Sequence, residues 1–94
     1  MPIIVANTWR EELEALTAQQ VALARSHGAS RWESEAFDLL GFRVSVRIVR
    51  RAVRGRKEAL VREFYLNGRR KGYNALLYAL MREERRLLSH ATRT

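Results

Sequence analysis

The hydrophobic positions of the C-terminal segment recur at helical spacing. From Tyr73 to Leu88, apolar side chains fall at positions i, i+3, i+4, i+7, i+8, i+14 and i+15, and Glu84 interrupts this stripe. Such a period places the apolar residues on one side of an α-helix. The pattern predicts an amphipathic helix of about 17 residues, from near Gly72 to Ser89, that either covers a core or pairs with a second chain.

Two capping boxes predict helices in the N-terminal part of the chain. The segments Thr8–Glu11 and Ser30–Glu33 each place a hydroxyl three residues before a glutamate, so that both side chains can satisfy free backbone amides at a helix start. Gly28 and Gly41 are suited to end these helices, because glycine accepts a left-handed backbone. The sequence therefore predicts a long first helix and a short second helix within residues 8–41.

Residues 58–66 also have helical composition, with Leu60, Val61 and Phe64 as their apolar positions. The pair Asn67-Gly68 follows them in the manner of a helix C-terminus. Together these segments predict a mainly α domain of four to five helices.

The segment from Phe42 to Ile48 fits two structures. Strict alternation of apolar and polar residues, with β-branched side chains, is typical of a half-buried strand. This interpretation gives one short strand at about 42–48 and resembles the ribbon-helix-helix arrangement. The alternative is a helix from Ser45 to Gly55, which with residues 35–41 resembles a helix-turn-helix. Both architectures bring side chains into a DNA groove, and the sequence leaves the choice open.

The positive charge of the chain is concentrated in its C-terminal half. The 94 residues contain 18 Lys and Arg against 10 Asp and Glu, a net charge of +8. Residues 1–42 contain three bases and six acids, a net −3, whereas residues 43–94 contain fifteen bases and four acids, a net +11. Seven bases and no acid lie between Arg43 and Lys57. Solvated surfaces usually interleave both signs, so this run predicts a face that binds a polyanion.

We expect duplex DNA to be that polyanion. Arginine presents a planar fork of donors that matches phosphate oxygens or the O6/N7 edge of guanine. RNA is the weaker candidate, because the basic run lacks interleaved aromatic residues for base stacking. The predicted contacts are the polar residues of the basic run and the basic triplet before the last helix: Arg43, Ser45, Arg47, Arg50, Arg51, Arg54, Arg56, Lys57, Arg69, Arg70 and Lys71.

The sequence does not indicate catalysis. It contains one Asp, two His and no Cys, and it lacks the HExxH, Walker, GxGxxG and GxSxG motifs. We therefore expect no enzyme activity, no cofactor and no metal site. A run of about 18 apolar residues and a secretory leader are also missing, which predicts no membrane partner and a cytoplasmic, nucleoid-associated location.

These observations predict a single domain over residues 1–94, with an acidic half (1–42) and a basic, nucleic-acid-facing half (43–94). The predicted function is that of a small DNA-binding regulator or architectural factor that acts as a homodimer. The alternative is a small accessory protein, of the phage or plasmid type, that binds and inhibits or redirects a larger protein. The candidate partner or dimer face consists of Trp9, Trp32, Tyr73, Leu77, Leu80 and Leu87.

Overall fold

The computed structural model describes residues 8–52, 54–55 and 58–92, which form two helices and one five-stranded sheet. The elements in chain order are helix α1 (Thr8–Ser26), strands β1 (Arg31–Glu33), β2 (Phe37–Leu39), β3 (Phe42–Arg51), β4 (Ala59–Leu66) and β5 (Arg69–Lys71), and helix α2 (Tyr73–Thr92). Every strand pair is antiparallel, in the order β1-β3-β4-β5, and β2 pairs with β3 as well. The fold is therefore α/β.

The prediction of a mainly α, four- to five-helix domain is wrong, and so is the description of the protein as helical. Residues 30–41 contain β1 and β2 rather than a short helix, and residues 58–66 contain β4. The alternation at 42–48 does form a strand, which continues to Arg51, so the helix from Ser45 to Gly55 is wrong too. Because β3 leads into β4 rather than into a helix, neither the helix-turn-helix nor the ribbon-helix-helix arrangement is formed.

Sheet pairing explains why the second capping box fails. A cap contributes about 1 kcal/mol by satisfying amides in one turn only. Pairing with β3 instead satisfies backbone groups along the segment: Trp32 lies opposite Ile48, the Ser34 amide donates to the Val46 carbonyl, and the Ser34 hydroxyl accepts from the Val46 amide, both at 2.9 Å. Trp32 also packs against the core, which an isolated short helix would not achieve.

Asn67 and Gly68 form a hairpin turn rather than a helix end. Their φ values are 50° and 84°, and they join β4 to β5. Two consecutive positive φ values define the type I′ turn, whose twist matches that of paired strands. Asn67 also satisfies the backbone groups near the start of β3. Its backbone N–H donates to the Arg43 carbonyl, and its side-chain Oδ1 accepts from the Arg43 backbone N–H.

The two long helices were predicted correctly. Helix α1 begins at Thr8 and ends with a Schellman motif, in which Gly28 (φ 60°) and Ala29 donate to the carbonyls of Arg25 and Ala24. Helix α2 begins at Tyr73, one residue after the predicted start. Neither described helix is both long and apolar enough to span a membrane.

Both helices contribute to one core that covers a single face of the sheet. Helix α1 packs on β1 and β3, and α2 packs on β4. On β3, the side chains of Val44, Val46 and Ile48 point toward the helices and are buried almost completely. The core consists of Trp9, Leu13, Val21, Ala24, Leu39, Val44, Val46, Ile48, Phe64, Leu66, Leu76 and Leu80. Since all its sheet residues share one face, both described helices lie on that face and neither covers the opposite one.

Candidate nucleic-acid interface

The face of the sheet opposite the helices, called here the outer face, carries a concentration of arginines. Residues directly opposite one another in antiparallel strands point to the same side. The alternation that buries Val44, Val46 and Ile48 therefore turns their neighbours on β3 outward. The register of the other four strands shows which of their residues point to the same side. The charged residues on this face are Arg31, Arg43, Arg47, Arg51 and Arg70 with Glu33, Asp38 and Glu63. Five bases against three acids give the outer face a net charge of +2.

Glu63 is the central residue of this face. Although neither described helix covers it, its side chain is only 2% exposed, because three arginine side chains close over it. Arg51 Nη2 lies 2.6 Å and Arg70 Nη2 3.4 Å from Glu63 Oε2, and Arg47 Nη1 lies 3.7 Å from Oε1. These four residues are called the Glu63 cluster. A buried carboxylate is costly unless it is paired and hydrogen-bonded, and here the two neighbouring strands, β3 and β5, supply the pairing charges.

Arg47 is the most enclosed arginine of the Glu63 cluster. It lies opposite Glu63 in the register, its Nε is 2.9 Å from Glu33 Oε1, and its guanidinium carbon is 5.1 Å from the centre of the Tyr65 ring. The Nε–H is not aligned with the Glu33 carboxylate and makes no hydrogen bond to the described residues, so this contact is ionic only. Two carboxylates and an aromatic ring thus hold Arg47 in place.

Arg51 and Arg70 differ from Arg47 in their exposure. Their side chains are 52% and 62% exposed, compared with 31% for Arg47. Each is held at one nitrogen by the same oxygen, Glu63 Oε2, and turns the rest of its donors toward solvent. The cluster therefore combines one enclosed arginine with two whose free donors are available to an anion.

The structure brings together some of the predicted contacts and separates others. Arg43, Ser45, Arg47, Arg51 and Arg70 lie on the outer face. Glu33, Ser34, Ser45, Val46, Arg47, Tyr65 and Gly68 line a polar depression of about 240 Å³ there.

The remaining predicted bases lie elsewhere. Arg50 belongs to the helix-covered face, with its Nη1 3.8 Å from Glu58 Oε2. Arg54 is exposed in the turn between β3 and β4. Arg69 and Lys71 are exposed on β5 and point to the opposite side of the sheet from Arg70. Arg56 and Lys57 lie outside the described residues.

The predicted partner or dimer face is divided between the core and the surface. Trp9 and Leu80 are 3% and 0% exposed and belong to the core. Trp32 is half-buried: its Nε1 donates to Gln20 Oε1 at 2.8 Å and its ring stacks on His27. Tyr73, 43% exposed, packs against Phe64, while Leu77 and Leu87 are partly exposed on α2.

Sequence reasoning missed Glu63, Tyr65 and Arg31 as members of the site. All three fell in segments that were read as helices, where each appeared as an ordinary surface or apolar position. The available signal was Asn67-Gly68, because this dipeptide is preferred in two-residue hairpin turns. A hairpin at this pair would have predicted a strand before residue 67 and placed Tyr65 opposite Arg70, whereas the pairing of Glu63 with Arg47 depends on the register between β3 and β4.

The described residues contain no group of three or more His, Cys, Asp or Glu side chains that could hold a metal ion. Comparisons with protein-family models, curated proteins and solved structures found no match to this chain. The functional argument consequently depends on the geometry and charge of the chain's own residues.

Proposed function

We propose that this protein binds duplex DNA through the outer face of its sheet, by contacts to the phosphate backbone. The observation that carries the proposal is the Glu63 cluster, which fixes three guanidiniums on a face that neither described helix covers. Guanidinium groups pair with phosphate oxygens through two donors at once, which makes arginine well suited to this contact. Arg43 on the same face and Arg54 at the nearby turn extend the basic surface.

The composition of the outer face favours a duplex over a single strand. Proteins that bind single strands stack bases on exposed aromatic rings. Among the residues that the described strands turn outward, Tyr65 is the one aromatic, and the Arg47 guanidinium already lies over its ring. The face therefore offers charge rather than a stacking platform.

The width of the sheet favours backbone contacts over base contacts. Four strands side by side span about 14 Å, since neighbouring strands lie 4.7–4.9 Å apart. The major groove is about 12 Å wide and admits a helix or a two-stranded ribbon. A sheet of this width lies across the groove on the phosphates, so the proposed binding depends little on base sequence. This favours an architectural role over that of a sequence-reading regulator.

Fluorescence anisotropy with a labelled duplex tests this proposal. If about three phosphates are contacted, the affinity falls roughly 40-fold between 50 and 200 mM salt, and it is similar for unrelated sequences. The double variant Arg43→Ala/Arg51→Ala weakens binding, whereas the control Arg82→Ala, an exposed arginine of α2, has a much smaller effect. Affinity that does not change with salt, or an equal loss in the control, contradicts the proposal.

We also propose that the protein forms a homodimer through α2. No residue described beyond Leu80 on this helix is buried, yet Met81, Leu87 and Leu88 continue its apolar stripe, and Leu88 is 36% exposed. A second copy of α2 in antiparallel orientation would cover this stripe in both chains, as a two-fold interface requires. Light scattering across a concentration series measures the mass directly, and a constant mass near 11.0 kDa contradicts the dimer.

A further inference from the structure

We propose that one backbone phosphate of the bound DNA docks directly on the Glu63 cluster, between Arg51 and Arg70, and that Glu63 is the positioning residue for this contact. This inference rests on the proposed DNA binding and adds to it a defined phosphate site. It also assigns to an acidic residue a favourable role in binding an anion.

The spacing of the two guanidiniums suits a single phosphate. Arg51 Nη2 and Arg70 Nη2 both contact Glu63 Oε2, at 2.6 and 3.4 Å, so they are separated by at most the sum of these distances, 6.0 Å. Two nitrogens that each donate a charge-assisted hydrogen bond of 2.7–2.9 Å to the same oxygen can lie up to about 5.8 Å apart. Two nitrogens that donate to different oxygens of one phosphate can lie further apart. A phosphate above Glu63 can therefore bond both arginines while each keeps its contact with the carboxylate.

The charge of the cluster permits this arrangement. Three guanidiniums and one carboxylate give the cluster a net charge of +2, so a phosphate is still attracted to it. Glu63 is 2% exposed beneath the arginines, and a phosphate that meets their free donors approaches from the solvent side. The buried carboxylate thus acts on the ligand only through the arginines it holds.

Glu63 helps binding by ordering two long side chains before the ligand arrives. An arginine that is free in solution loses conformational entropy when it binds a phosphate, and that cost is reduced when the side chain is already fixed. Arg51 lies opposite Ala59 in the register, two outward positions along β4 from Glu63, so its side chain must extend back along the face to make this contact. Without the carboxylate, nothing in the described register holds it there, and three like charges repel one another.

The test compares Glu63→Gln with Asp38→Asn. Both substitutions remove one negative charge from the outer face, but Asp38 lies opposite Arg43 and outside the Glu63 cluster. If charge alone matters, both variants bind duplex DNA more tightly. The proposal predicts that Asp38→Asn binds as tightly as the wild type or more tightly, whereas Glu63→Gln binds about five- to tenfold more weakly, the cost of ordering one long side chain. The salt slope of Glu63→Gln stays close to that of the wild type, because both arginines still contact the phosphate once they are ordered.

A double-variant cycle on the two exposed arginines keeps the proposal testable if Glu63→Gln fails to fold by circular dichroism. If Arg51 and Arg70 hold the same phosphate, Arg51→Ala/Arg70→Ala loses less affinity than the product of the single losses. Losses that multiply overturn the shared site, as does a Glu63→Gln variant that binds as tightly as Asp38→Asn. Wild-type protein that does not bind DNA refutes the proposed function instead, so the two failures are distinguishable.

Discussion

The unequal burial of helix α2 leads to a prediction about two leucines on the same helix. Leu80 is 0% exposed in the core, whereas Leu88, two turns further on, is 36% exposed. Replacement of either leucine by alanine changes the helix propensity by a similar small amount, so the difference between the variants reports packing. Leu80→Ala leaves a cavity in the core and is expected to cost about 3–5 kcal/mol. Leu88→Ala is expected to cost about 1 kcal/mol or less, because much of that side chain stays in water in the monomer.

Urea unfolding followed by circular dichroism measures both values. A domain of this size has a total stability of about 5–14 kcal/mol, so Leu80→Ala removes a large share of it. Its midpoint falls by about 1–5 M urea. At low protein concentration, the Leu88→Ala midpoint moves much less. At high concentration, the proposed dimer adds a concentration-dependent loss for Leu88→Ala, because the wild type is then stabilised by association. Equal losses at low concentration would refute the conclusion that α2 is packed only in its first half.

Three further predictions concern the surface and the turns. Arg43→Ala weakens duplex DNA binding by a similar factor for unrelated sequences, because the proposed contact of Arg43 is to phosphate. In the anisotropy assay it also lowers the magnitude of the salt slope by about 1. A loss of affinity confined to one sequence would indicate base contacts instead. Gly68→Ala lowers the free energy of unfolding by about 1–2 kcal/mol in thermal melts, because φ is 84° at this hairpin position. The control Gly72→Ala costs less, because the backbone there does not require a positive φ. Equal losses would contradict the turn assignment. The pKa of the Glu83 carboxyl lies below its ordinary value because Arg86 donates hydrogen bonds to it at 2.9 and 2.6 Å. The stabilisation of α2 by this pair is therefore fully present above the ordinary glutamate pKa and is lost as the pH falls through the lowered one. NMR titration of Arg86→Ala should return the Glu83 pKa toward its ordinary value, and an unchanged pKa would show that another group causes the shift.

The elements that the sequence predicted correctly are those whose signals are local. Helix α1 ends where Gly28 allows a Schellman motif, and α2 follows an apolar period that spans most of its length. The alternation at 42–48 is also a local signal, and the strand that forms there is one of the two alternatives that the sequence left open. In each case, the residues that fix the structure lie within a few positions of one another, so no distant partner is needed to interpret them.

The errors occurred where a local signal competed with a distant partner. The capping box at Ser30–Glu33 is a valid helix start by itself, but β3 lies alongside this segment and satisfies more of its backbone. Residues 59–66 have no clear alternation, and their pairing with β3 makes them a strand. A propensity of a few tenths of a kcal/mol per residue does not outweigh a complete ladder of hydrogen bonds and a shared core.

The amount of charge, its predominance of arginine and its concentration after residue 42 are properties of the sequence alone. The starts of the two long helices and the end of α1 also follow from the sequence, because caps and apolar periods act over short distances, whereas α2 continues three residues beyond the predicted Ser89. Which arginines share a face, and which acid joins them, depends on the tertiary structure. Glu63 and Arg70 are brought together by the hairpin at residues 67–68, and Glu63 and Arg47 by strand register. A register is set by which residues the core must bury, and that choice involves both helices and all five strands at once.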